Sequence, residues 1–124
     1  MNGSLSPNEA MEGSIAHQIE QTVGSWEGVT VHPHRFGGVE FRLGTRELGH
    51  LHGDWLADLP FKRTIRDMLV ETGRAERHHV LPKSGWVSRR MVTDEDADEA
   101  IELFRLAYER ARVALAVRAA RESG

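Results

Sequence analysis

Val39-Glu40-Phe41-Arg42-Leu43-Gly44-Thr45-Arg46-Glu47-Leu48-Gly49-His50-Leu51-His52 is the stretch that decides the fold. Its first five residues alternate apolar and polar, which in an extended chain sends Val39, Phe41 and Leu43 to one face and Glu40 and Arg42 to the other. Gly44-Thr45 is a two-residue turn signal, and the run from Arg46 to His52 is long enough to return alongside as an antiparallel partner. A hairpin with one apolar face needs a cover, so helices are expected to pack on that face.

Before the hairpin, Val29-Thr30-Val31-His32 reads as a short strand stopped by Pro33, which has no N–H to give to a ladder. Further upstream, Ser6-Pro7-Asn8-Glu9 has the form of a helix N-terminal cap. Met11, Ile15, Ile19 and Val23 then recur every four residues up to a stop at Gly24. After the hairpin, Phe61, Ile65, Met68 and Leu69 mark the face of a helix over 60–72, capped by Asp58 and ended by Gly73. Trp86 to Val92 reads as another strand after the turn Pro82-Lys83-Ser84-Gly85, and Arg89 and Arg90 place it at an edge or on a solvated face. Thr93-Asp94-Glu95-Asp96 caps a long last helix with the stripe Ala97, Ile101, Phe104, Tyr108, Ala111 and Leu115. The expected fold is α+β in the order α-β-β-β-α-β-α, an antiparallel sheet of about four strands covered by helices on one face. No repeat or linker divides the chain, so residues 6–124 are expected to form a single domain behind a flexible tail of residues 1–5.

The 124 residues are 40 % hydrophobic and 28 % charged, which suits a chain that buries one core. A net charge of −3 argues against nucleic acid as a general partner, because phosphate binders carry a basic stripe. No run approaches the roughly 20 apolar residues of a membrane span, and the N-terminus does not read as a secretory signal, so the expectation is a cytoplasmic protein with no membrane partner. With no cysteine, disulfides, thiol nucleophiles and thiolate metal sites are excluded, leaving histidine and carboxylate as bases and ligands. No nucleophile elbow, phosphate-cradling glycine loop or zinc-protease helix motif is present.

Apart from His17, the seven histidines fall in three pairs, His32 with His34, His50 with His52, and His78 with His79. Imidazole titrates closest to neutrality, so such grouping suits proton transfer or metal ligation. His50 and His52 lie two apart on a strand and project to one side. With Asp54 they form a candidate metal set of two imidazoles and a carboxylate, or else they are half-buried rings bonded to backbone and water. His78 and His79 sit on or near a loop, as catalytic groups often do. Arg35, beside His34, is a candidate cation for an enolate or carboxylate, although the neighbouring Gly37-Gly38 equally suits a plain tight turn. Trp55 follows the His50 to Asp54 segment and would make a wall for a flat aromatic ligand, while Trp55 and Trp86 also suit core or rim positions.

The strings Glu47-Leu48-Gly49-His50-Leu51-His52, Ala57-Asp58-Leu59-Pro60-Phe61, Gly73-Arg74-Ala75-Glu76-Arg77-His78-His79 and Ser84-Gly85-Trp86-Val87 resemble the luciferase-domain family, which includes the fungal luciferases. Asp94-Glu95 leading into Ala100-Ile101-Glu102-Leu103-Phe104 is similar to that family's C-terminal helix. The resemblance spans residues 29–112 and is sharpest from Gly73 to His78. His79 departs from the fungal pattern, which has proline there, and the chain looks like a small bacterial member. For the fungal branch the family implies oxidation of a hydroxylated styryl-pyrone by molecular oxygen, without flavin or metal, through a peroxide that loses carbon dioxide and emits light. Light emission is not carried over, since family likeness does not fix a reaction.

On that resemblance His50, His52, His78 and His79 are the catalytic candidates. His34, Arg35, Trp55, Arg77 and Trp86 are the candidates for ligand binding, no residue is assigned to a metal, and no cofactor is implied. The expected function is binding of a flat phenolic or enolic, pyrone-like small molecule, with a cofactor-independent oxygenase as the enzymatic form and histidine as its base. The alternatives are a non-catalytic binding or assembly module and a histidine-carboxylate metal protein. A homodimer is open in each case.

Overall fold

The computed structural model describes residues 14–34 and 37–123. Their elements run α1 (Ile15–Val23), β1 (Val29–Pro33), β2 (Val39–Leu43), β3 (Arg46–His52), β4 (Leu56–Pro60), α2 (Arg63–Glu71), β5 (Glu76–Arg77), β6 (Trp86–Arg90) and α3 (Asp94–Ser123). The strands make one antiparallel sheet in the order β1-β2-β3-β4-β6-β5. The class is α+β with an antiparallel sheet, as expected, but six strands stand where about four were anticipated. Among the described residues no helix is long and apolar enough to cross a membrane.

Leu56-Ala57-Asp58-Leu59-Pro60 accounts for the main difference. Aspartate and proline are depleted from strands, and Asp58 suits a helix cap. Yet β4 lies between β3 and β6, with every residue from Leu56 to Leu59 buried. Gly53, at φ 56°, turns the chain so that His52 faces Leu56 and His50 faces Asp58. Pro60 closes the strand, where a missing donor costs least. The helix expected over 60–72 therefore starts only at Arg63, and no side chain caps it.

The two-residue strand β5 pairs outside β6, so of the edge or solvated face that its arginines suggested, β6 is not the edge, and Arg90 is the one that faces solvent. Arg89 instead reaches Asp96 at 2.6 Å and the carbonyl of Arg74 at 3.0 Å. At the other end of the chain, α1 is capped by Ser14, whose Oγ accepts the His17 N–H at 3.0 Å. The expected cap at Ser6 to Glu9, the stripe position Met11 and the tail lie outside the described residues.

One face of the sheet is the core. Phe41, Leu51, Leu59 and Val87 meet Ile19 and Val23 of α1 and Leu103 and Phe104 of α3, all fully buried. Phe104 stands edge-on to Phe41 at 5.1 Å, directly above Gly49. A Cβ at Gly49 would lie 2.8 Å from the Phe104 ring and 2.7 Å from the Asp58 carbonyl oxygen, so only glycine allows this approach, and its φ of 152° also favours glycine. The stripe expected on α3 is buried at Ala97, Phe104, Tyr108 and Ala111, whereas Leu115 is 41 % exposed. The reason is length. Thirty residues span about 45 Å at ~1.5 Å per residue, against about 24 Å across six strands, so the helix outruns the sheet.

Candidate functional site

The opposite face is polar along one line. His32 faces Glu40, Glu40 faces His50, His50 faces Asp58, Asp58 faces Ser88 and Ser88 faces Glu76. Directly opposed residues share a face, so these six positions form a transverse row across the sheet, turned away from α1 and α3. A bulge adds a seventh group. Phe41 pairs with Gly49 but Arg42 pairs with Glu47, which leaves Leu48 as the extra residue of β3. Strict alternation would put Glu47 and His50 on opposite faces. The bulge brings them together, with Glu47 Oε2 2.7 Å from His50 Nδ1.

Asp58 is the centre of the site and is 1 % exposed. Its Oδ1 accepts the Ser88 hydroxyl at 2.6 Å. Its Oδ2 faces three imidazoles, with His52 Nε2 at 2.9 Å, His50 Nε2 at 3.4 Å and His78 Nε2 at 3.5 Å. The far side of the His78 ring is fixed, because Nδ1 accepts the N–H groups of Val80 and Leu81 at 3.2 and 3.1 Å. In the neutral ring the proton then sits on Nε2, an assignment made from its partners, and His78 presents a donor to Asp58.

Aromatic rings close around this group. His34 stacks on His50 with centroids 4.1 Å apart and meets His52 edge-on at 6.0 Å. Trp86 lies 5.4 Å from His50 and 6.1 Å from His78, and His79 stacks on His78 at 4.9 Å. Trp55 is 6.4 Å from His52 at the outer margin, more than half exposed.

These surroundings separate the titrations. Burial alone would lower His50, but hydrogen bonds to Asp58 and Glu47 reverse this and push it up to about 9. Burial alone would raise Asp58, and hydrogen bonds from His50, Ser88 and His52 instead hold it well below the usual carboxylate range. Burial lowers His34, aided by the charge of His50. Burial also lowers His78, with His79 and His50 adding to the effect and Asp58 opposing it.

The sequence candidates are thus divided. His50, His52 and His78 converge, and His34, His79 and Trp86 flank them. Arg77 turns elsewhere, to the carbonyl of Pro82 at 3.1 Å and to Asp67 at 3.6 Å. Arg35 lies outside the described residues. Asp54 is not the carboxylate partner of His50 and His52, because it accepts the Ala16 N–H at 2.8 Å beside the start of α1. That place belongs to Asp58, and among the described residues His50, His52 and Asp58 form a group able to hold a metal ion, their ligand atoms within 4.8 Å of one another.

Glu47, Asp58 and Ser88 were not singled out from the sequence. Asp58 was read as the cap of the following helix, and its place opposite His50 comes from the pairing of β3 with β4. Glu47 and Ser88 had no local signal, since a bulge and a neighbour 30 residues away decide them. The arrangement can hold the His50 ring as a cation between Glu47 and Asp58, donate hydrogen bonds from imidazole and pass protons among the rings.

A family model described as the luciferase domain matches residues 45–107, just over half of the chain and the part that carries His50, His52, Asp58, His78 and Trp86. No curated protein and no solved structure matches the chain.

Proposed function

The chain belongs to the luciferase-domain family, and from that premise we propose that it binds a flat phenolic or enolic small molecule, pyrone-like in shape, against its histidine face and promotes the reaction of that molecule with oxygen. The observation that carries this reading is the meeting of three imidazoles, two from β3 and one from the segment between β5 and β6, at one oxygen of a buried carboxylate.

Oxygen reacts with electron-rich carbon, so an enol must first lose its proton. That step needs an imidazole to accept the proton and a positive charge to hold the enolate oxygen left behind. The histidine group supplies the acceptor, and the carboxylates of Glu47 and Asp58, on either side of the His50 ring, favour a positive charge there. His78 Nε2–H, which faces Asp58 Oδ2 at 3.5 Å, would turn to an oxygen of the ligand lying beside that carboxylate. Trp86 and Trp55 offer flat faces to either side of His50 and His52. No organic cofactor is required by this scheme.

The test is a screen of hydroxylated styryl-pyrones and related phenols, with binding followed by tryptophan fluorescence and turnover by oxygen uptake. The parent should bind and consume oxygen, and His52→Ala and His78→Ala should each weaken binding by about 10-fold, the worth of one hydrogen bond of ~1.4 kcal/mol. Equal binding by all three proteins with no oxygen uptake would remove this reading.

A second reading, an assembly module, is favoured by one observation. On the free end of α3, Val113, Leu115 and Val117 are 63 %, 41 % and 45 % exposed. Pairing of two copies through this end gives a homodimer, and light scattering across a dilution series decides it, since a strictly monomeric mass at high concentration rules it out.

A further inference from the structure

We propose that His50 Nε2, His52 Nε2 and Asp58 Oδ2 bind a divalent first-row transition metal ion. The inference deepens the reading above and rests on the same histidine face. It names the positive group that an enolate would need there.

The donor set is the first argument. Two imidazoles and one carboxylate suit iron(II), cobalt(II), nickel(II) or zinc(II), whereas calcium and magnesium prefer all-oxygen surroundings. Spacing is the second. With metal–ligand bonds of ~2.1 Å, adjacent ligand atoms stand about 3.0 Å apart in octahedral and about 3.4 Å apart in tetrahedral geometry. Asp58 Oδ2 is 2.9 Å from His52 Nε2 and 3.4 Å from His50 Nε2. One ligand atom from each of the three residues lies within 4.8 Å of the other two.

The supporting bonds are the third argument. A metal-bound histidine holds its orientation by donating its other N–H to a carboxylate, and Glu47 Oε2 sits 2.7 Å from His50 Nδ1 for that purpose. The bulge at Leu48 is what brings Glu47 to this face. The second oxygen of Asp58 is likewise fixed, by Ser88 at 2.6 Å. His78 is not a ligand in this arrangement. Its Nδ1 accepts two backbone N–H groups, so its Nε2 keeps a proton and remains a donor toward whatever the metal holds. Three protein ligands leave coordination positions open for an oxygen of the small molecule.

The experiment uses the whole chain purified without a histidine tag, stripped with chelator, then titrated with zinc(II) by calorimetry and with cobalt(II) followed by visible absorption. One equivalent should bind, and nitrogen NMR of the imidazoles should show the Nε2 atoms of His50 and His52 shifting on zinc addition while His78 Nε2 keeps its proton. His52→Ala should weaken binding at least about 100-fold and Glu47→Gln about 10-fold, in line with loss of a ligand and of its orienting carboxylate. His32→Ala, whose ring bonds Thr30 instead, should bind like the parent. Absence of a one-equivalent heat and of cobalt absorption in the folded parent, or zinc binding that leaves the His50 and His52 resonances unmoved, overturns the proposal, with no variant required to fold. Pyrone binding to the stripped protein is measured in parallel. If it persists where zinc does not bind, the ligand reading stands and the metal site falls; if zinc binds as described and no pyrone or phenol does, the reverse holds.

Discussion

Asp58 is a carboxylate in the middle of a sheet, and such a group is tolerated only when donors surround it. Ser88 supplies the shortest of these bonds, so Ser88→Ala should lower unfolding stability by about 2 kcal/mol, as for a hydrogen bond to a buried charge, measured as a shift of the denaturant midpoint at constant slope. Gly49 is the second residue on which the site depends, because it lets Phe104 reach the sheet beneath His50. Gly49→Ala should cost about 3 kcal/mol through overpacking and strain. Gly44→Ala, at φ 65° in open space, should cost only about 1 kcal/mol for the left-handed backbone. Equal losses at both positions would contradict the close approach described for Gly49. At this scale the sequence revealed His50 and His52 as a pair, because residues two apart on a strand share a face whatever surrounds them. It did not reveal Glu47, whose side is set by a bulge, or Asp58, whose local signals resemble those of a helix start.

The elements whose ends carry their own signals were the easiest to read. Thr93 and Asp96 cap α3 reciprocally: Thr93 Oγ1 accepts the Asp96 N–H at 3.3 Å, and Asp96 Oδ2 accepts the N–H groups of Val92 and Thr93 at 2.8 and 3.0 Å. Thr93→Ala should cost about 1 kcal/mol, the usual worth of a helix cap. Hydrogen bonds from the backbone of Val92 and Thr93, with Arg89 adding to them, lower Asp96 from 3.8 to about 2. A carboxylate lowered on folding stabilises fully above its unfolded value, and that contribution disappears as pH falls through the folded one. The stability gap between parent and Asp96→Asn should therefore be complete at pH 6 and shrink between about pH 5 and pH 2, as followed by urea melts. A gap that widens in acid would be the wrong sign. β4 was illegible for the opposite reason. Its residues have poor strand propensity and no alternation, because a central strand is buried on both faces and its identity comes from its neighbours.

For the molecule as a whole, the long helix α3 both roofs the core and extends beyond it. Past Ala111 none of its described side chains is buried, so a chain ending at Ala114 should unfold within about 0.5 kcal/mol of the parent. If the free end joins two copies, the same truncation should yield a monomer. A large loss of stability on truncation at concentrations where the parent is monomeric would show that the overhang supports the fold itself. Amino-acid order alone determined the α+β class, the hairpin at residues 39–52, the capped last helix, the absence of thiol chemistry and the resemblance that marks the family, since each follows from local periodicity, local capping or residue identity. The strand at 56–60, the placing of Asp58 rather than Asp54 beside the imidazoles, and the arrival of His78 next to His50 were decided only by the tertiary structure. Those contacts depend on which strands lie side by side and in what register, and that is settled by burial of one common core rather than by any short stretch of chain.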